Sequence, residues 1–142
     1  LYIANKVLLP ANYKVKIGGG QYDGDGLETS FQSAEPQSPT PVYVLWGGIG
    51  SNCGPVSAGG ATPAQMDALG KAVTYGAMKT ADGWSCEWRI ALSVLGPKPQ
   101  LVKKLRFNTG IFEPGINQWV VWAGTGAEIF RVERGGEIRL EQ

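Results

Sequence analysis

The sequence predicts an antiparallel all-β sandwich, jelly-roll-like, with one short helical insertion, and a single domain spanning residues 1–142. Three observations carry this expectation. After the Asp82-Gly83 pair, Trp84, Cys86, Trp88 and Ile90 alternate with Ser85, Glu87 and Arg89, the period-two signature of a strand with one buried face. Asp-Gly is itself a hairpin signal, because Gly tolerates the positive φ of a tight strand reversal. The chain also carries 21 Gly and 9 Pro while remaining 43% hydrophobic, a pattern suited to many short strands joined by turns. Finally, strand patterning returns in Leu105–Gly110, in Trp119–Ala123, and in a closing strand where Ile138 and Leu140 alternate with Glu137, Arg139 and Glu141. One domain of this length buries roughly 70% of the surface its unfolded chain exposes.

In chain order, Leu1–Ala4 and Val7–Leu9 read as strand that starts abruptly, so the first strands of the fold are expected to precede residue 1. Pro10 and Asn12 interrupt, and Tyr13–Ile17 resumes the alternation. Gly18–Gly20 opens a turn into Gln21–Gly26, after which Leu27, Thr29 and Phe31 alternate with Glu28, Ser30 and Gln32. That register turns Glu28 away from the apolar side. A polar connection over residues 33–41 leads to the strand Val42–Trp46 and then to a glycine-rich excursion ending at Gly60. Thr62-Pro63 with Gln65 makes a capping box with Pro at the first helical position, and Gly70 can close a short helix through Leu69. Lys71–Lys79 and Trp84–Ala91 form a hairpin, and Leu92–Gly96 makes a turn or single helical turn before Pro97 and Pro99.

Composition narrows the chemistry. The 13 Lys and Arg nearly cancel the 12 Asp and Glu, for a net +1, and no block of like charge stands out. Nucleic acid and anionic membranes are therefore not expected as partners. No apolar run approaches the roughly 18–20 residues of a spanning helix. His is absent, which removes the commonest general base and the commonest zinc, copper and haem ligand. Cys53 and Cys86 permit one disulfide if their Cα atoms lie within about 7 Å; otherwise Cys86 is a small apolar residue of the inner face and Cys53 a free loop thiol.

Asp23, Asp25 and Glu28 put three hard oxygen ligands within six residues, enough to begin a calcium site with Asp23 and Asp25 as ligands. The spacing imitates a helix-flanked calcium loop only in part, and the alternative is a solvated turn whose Asp and Gly serve the backbone. Glu28, Glu87 and Glu113 are the candidates for glycosidic acid and base chemistry, which needs two carboxyls about 5–9.5 Å apart. No motif arranges an activated nucleophile or acid/base pair, so no enzymatic activity is expected. Five Trp, five Tyr and four Phe are generous for short strands. Flat rings stack on the CH faces of sugars while carboxylates and amides take the hydroxyls. Tyr22, Trp46, Trp119 and Phe130 sit in or beside expected loops as such platforms, whereas Trp84, Trp88 and Trp122 are assigned to the core.

These segments together resemble the carbohydrate-binding module family 9 domains, within the wider DOMON-like β-sandwiches. Tyr22–Phe31 looks like the family's aromatic, acidic, Val-Glu strand. Thr80–Ile90 with Leu95-Gly96 is similar to its Gly-aromatic, Val-Glu, Ile-Pro, Leu-Gly segment. Arg106–Asn108 resembles its Gly-Phe-Asn strand, Val121–Ala123 its Ser-Trp segment, and Gly136–Leu140 its closing strand. The resemblance implies that Tyr22 and Phe130 stand where two rings clamp a sugar, and that Glu28, with Asp25 beside it, contacts ligand. Ala91 replaces the usual Pro, and Gly110 falls where a ligand-binding Gln is expected. The role implied by the resemblance is non-catalytic binding of an oligosaccharide or polysaccharide by an extracellular or periplasmic bacterial protein. In nature the domain would be fused to an enzyme or surface polypeptide. Tyr22, Trp46 and Phe130 would stack on sugar rings, and Asp25, Glu28 and Asn108 would hydrogen-bond to hydroxyls, with calcium as an optional structural ion. The alternative is a structural or protein-docking sandwich, an accessory packed against a larger protein. Haem binding, with Met66 and Met78 as the only axial candidates, is a distant third.

Overall fold

The computed structural model describes residues 1–18, 20–50 and 52–141; Gly19 of the expected turn, Ser51 of the glycine-rich excursion and the terminal Gln142 lie outside them. Among the described residues, nine strands form two antiparallel sheets. The smaller has the order β1-β6-β5, from β1 (Tyr2–Leu8), β5 (Val73–Thr80) and β6 (Gly83–Ile90). The larger holds the other six strands, ordered with the fourth strand of the chain at one edge, then the third, second, seventh and eighth, and with the ninth also pairing with the seventh. Its strands are β2 (Gly26–Ser33), β3 (Tyr43–Gly48), β4 (Cys53–Pro55), β7 (Lys104–Glu113), β8 (Gln118–Val121) and β9 (Gly136–Arg139).

The alternation expected of residues 84–90 is what joins the layers. Trp84, Cys86, Trp88 and Ile90 are all buried and, with Ile3 and Val7 across the β1 pairing, face Leu27, Phe31, Tyr43, Leu45 and Leu105 of the larger sheet. Burying each such side chain stabilises the fold by about 1.5–3 kcal/mol. Gly83 is required at the hairpin: its φ is +152°, and a Cβ there would collide with the carbonyl oxygen of Val7 on the paired strand.

Helix α1 (Pro63–Lys71) starts as the sequence implies, with Thr62 and Gln65 closing a reciprocal capping box. It does not stop at Gly70, which lies inside the helix; Ala72 caps it by donating to the carbonyls of Ala68 and Leu69. Only Leu69 of the helix is buried, so α1 covers a sheet edge with a single anchor. Residues 13–17 depart further from expectation. They form no strand, because the loop is held to the start of β2 instead: the Asp25 amide donates to the Lys16 carbonyl at 2.8 Å, and the Asp25 carboxylate accepts from Tyr13 and Lys16. The two cysteines are free thiols, Cys53 exposed and Cys86 buried.

Candidate functional site

The outer face of the larger sheet is the only large sheet surface, among the described residues, that carries both rings and a buried carboxylate. Alternation along β2 sends Glu28 outward, and register places it between Trp46 of β3 and Gly110 of β7. Phe112, two residues beyond Gly110, stands opposite Trp119 of β8. Glu28, Trp46, Phe112 and Trp119 therefore share one face by strand period alone.

Tyr22 closes this group from above. Its backbone is left-handed, φ 67°, within a turn in which the Asp23 amide donates to the Gly20 carbonyl at 3.3 Å. A bulky residue there costs about 1–2 kcal/mol. The offsetting contacts are larger in sum: the Tyr22 ring meets Trp46, Phe112 and Trp119 edge-on at 5.1, 5.3 and 5.9 Å between centroids, each worth about 0.5–1.5 kcal/mol. Its hydroxyl also donates to Glu28 Oε1 at 2.6 Å, and the Gln21 amide donates to the same oxygen at 3.2 Å. The residue remains 44% exposed, so part of it is open to solvent.

Glu28 is only 5% exposed. Desolvation pushes its carboxyl above the ordinary value, and the hydrogen bonds from Tyr22 and Gln21 pull back without cancelling that effect. Burial, together with the Glu28 hydrogen bond, raises the Tyr22 phenol in turn. Beside the cluster, a pocket of about 180 Å³ is lined by Gln21, Trp46, Asn52 and the β4 strand. Two of its lining residues each carry a buried polar atom without a hydrogen-bond partner, Trp46 Nε1 and Asn52 Oδ1. The indole nitrogens of Trp84 and Trp88 are also unpartnered, but both residues belong to the closed core.

The sequence-derived site divides here. Tyr22, Glu28 and Trp46 come together. Trp46 does so from within β3 and 4% exposed, not from a loop. Asp25 is buried, accepting from the Tyr13 hydroxyl at 2.5 Å and the Lys16 amide at 2.6 Å, which makes it the clasp of the 13–16 loop. Asp23 is exposed beside it, and among the described residues no three acidic or cysteine side chains converge as a cation cage. Asn108 is wholly buried: its Nδ2 donates to Thr125 Oγ1 at 2.8 Å, and its Oδ1 accepts from the amides of Thr109 and Ala123 at 2.9 and 3.2 Å. It ties the 122–135 segment to the sheet. Phe130 is half-buried in that segment, outside the ring contacts of the cluster. Trp122, assigned to the core from sequence, is 59% exposed and packs on Phe107 at 5.8 Å.

Gln21 and Phe112 are members that sequence reasoning missed. Phe112 was within reach, since Asn108, Gly110 and Phe112 continue one alternating face; Gln21 depends on the turn and had no signal. Gly110 has a physical reason as well. The Ile129 side chain, fully buried, lies where a Cβ would stand, its Cδ1 only 2.6 Å from that position. A glutamine there has no room unless the 122–135 segment moves.

No protein-family model, curated protein or solved structure matches the chain.

Proposed function

We propose that this domain is a non-catalytic carbohydrate-binding module, similar to family 9, serving an extracellular or periplasmic bacterial protein. One observation carries the reading: a buried carboxylate, Glu28, held by phenol and amide donors among four rings, beside a pocket whose lining residues Trp46 and Asn52 each carry a buried, unpartnered polar atom. In the proposed complex a sugar ring lies on the open part of Tyr22. Its hydroxyls reach into the pocket, where Gln21 donates or accepts, and where a turn of the Trp46 and Asn52 side chains would bring their buried Nε1 and Oδ1 to the ligand. Buried polar atoms left unpaired cost about 1–3 kcal/mol each, so pairing them on binding favours a hydroxylated ligand over an apolar one.

Glycosidic catalysis fits less well. Glu87 lies on the outer face of the smaller sheet, on the far side of a sandwich about 10 Å between sheets from Glu28. Glu113 follows Phe112 directly and so turns to the opposite side of the larger sheet from Glu28. Neither can flank one glycosidic bond with it. The docking reading has its own support in Ile116, Val120 and Trp122, each more than half exposed along the β8 edge.

The test is a glycan-array screen with insoluble cellulose and xylan, run with calcium and with chelator, followed by titration of Tyr22→Ala and Glu28→Ala. Saturable binding weakened about tenfold or more by either variant, with folding intact, supports the reading. Failure of the folded protein to bind any glycan overturns it in favour of docking. Unchanged affinity in both variants moves the site elsewhere.

A further inference from the structure

On the opposite side of the sandwich, the outer face of the smaller sheet forms a second groove, enclosing about 450 Å³. Register lays this face out in three rows across β1, β6 and β5: Tyr2, Arg89 and Thr74; Ala4, Glu87 and Gly76; Lys6, Ser85 and Met78, of which all but Ala4 and Lys6 line the groove. The middle row is low at both ends and the outer rows are tall. Tyr2, 74% exposed, and Met78, 63% exposed, form walls beside a low floor at Gly76, next to which Glu87 rises.

Gly76 has no structural reason to be glycine. Its φ is not positive, and nothing lies within 4 Å of where a Cβ would stand. Glycine weakens a strand interior and there often marks a place where a ligand approaches the backbone. The charges point the same way. Glu87 and Arg89, two apart on one face of β6, have no hydrogen-bond or ion-pair partner through their side chains among the described residues, while Lys6 is already paired with Asp82 at 2.9 Å. The groove thus offers one free acceptor group beside one free donor group, with the Thr74 and Ser85 hydroxyls near them. An anionic ligand would meet Glu87 and a cationic one Arg89, so a neutral ligand rich in hydroxyls suits both.

We propose that this groove is a second, independent saccharide site. Tyr2 stacks on a sugar ring, Glu87 accepts from one hydroxyl of a vicinal pair, and Arg89 donates to the other. This rests on the reading that the domain binds glycans, and it makes the module bivalent: two sites facing opposite ways would bridge two polysaccharide chains.

The experiment is an amide NMR titration of the intact domain with cellohexaose, xylohexaose and mannohexaose to millimolar concentration, on the wild type and on Gly76→Val, Tyr2→Ala and Tyr22→Ala. Val at position 76 fits the open space, and an unchanged spectrum elsewhere verifies its fold. One hexasaccharide is expected to shift amides of residues 74–78 and 85–89 in the wild type. Those shifts should disappear in Gly76→Val, weaken about tenfold in Tyr2→Ala and persist in Tyr22→Ala. Unmoved β5 and β6 amides with all three sugars, or shifts equal in Gly76→Val and wild type, overturn the proposal. Response at β5 and β6 with silence around Glu28 refutes the Tyr22 site alone; the reverse refutes this one alone.

Discussion

Replacing Asn108 with Ala separates a structural role from a ligand-contacting one. The side chain is fully buried and makes three hydrogen bonds, to Thr125, Thr109 and Ala123. Truncation leaves the amides of Thr109 and Ala123 without their side-chain acceptor, at about 1–2 kcal/mol for each half-buried donor, since water can recover part of the loss. The Thr125 hydroxyl loses a donor but can rotate to another partner. The sum is about 2–4 kcal/mol, which for a domain of this size lowers Tm by roughly 6–12 °C. Thermal unfolding followed by near-ultraviolet circular dichroism measures it directly. Hydrogen exchange adds a local readout: the Ala123 amide should lose protection more than the β6 amides do, because the 122–135 segment loosens first. A Tm within about 2 °C of wild type, or unchanged exchange at Ala123, would refute the assignment of Asn108 as the tie between this segment and the sheet.

Two further outcomes follow from burial. Glu28 has its carboxyl raised above the unfolded value, so its contribution to stability is fully present below that value and is lost as pH rises through the folded one. Glu28→Gln keeps an acceptor for the Tyr22 hydroxyl without the buried charge. Its Tm should therefore gain on wild type between acid and neutral pH, and a difference constant with pH would sink the argument. For the thiols, Cys86 is 1% exposed and burial pushes it up to about 12, whereas Cys53 is exposed. A maleimide reagent should label Cys53 alone in the native protein and both residues in denaturant; native labelling of Cys86 would contradict its place in the core.

The strands were legible wherever one face is apolar and the other polar. Residues 84–90 announce their inner face because burial on one side of a pleated strand leaves a period of two in the sequence, and α1 announces its start because capping is local chemistry between Thr62 and Gln65. Residues 13–17 show where that reasoning fails: they alternate as a strand does, yet Asp25 draws them into a loop through hydrogen bonds that no local pattern encodes. Trp122 shows the same limit for burial, because a ring's exposure depends on what folds over it. For the candidate site, strand period alone determined that Glu28 turns away from the core, and the type of residue at position 22 marked it as an available ring. Only the tertiary structure decided that Glu28 is buried. The Tyr22 turn and the 122–135 segment close over the face on which it stands. Both coverings are long-range contacts, set by chain reversal and by the room left above Gly110, and such packing has no periodicity to leave in a sequence.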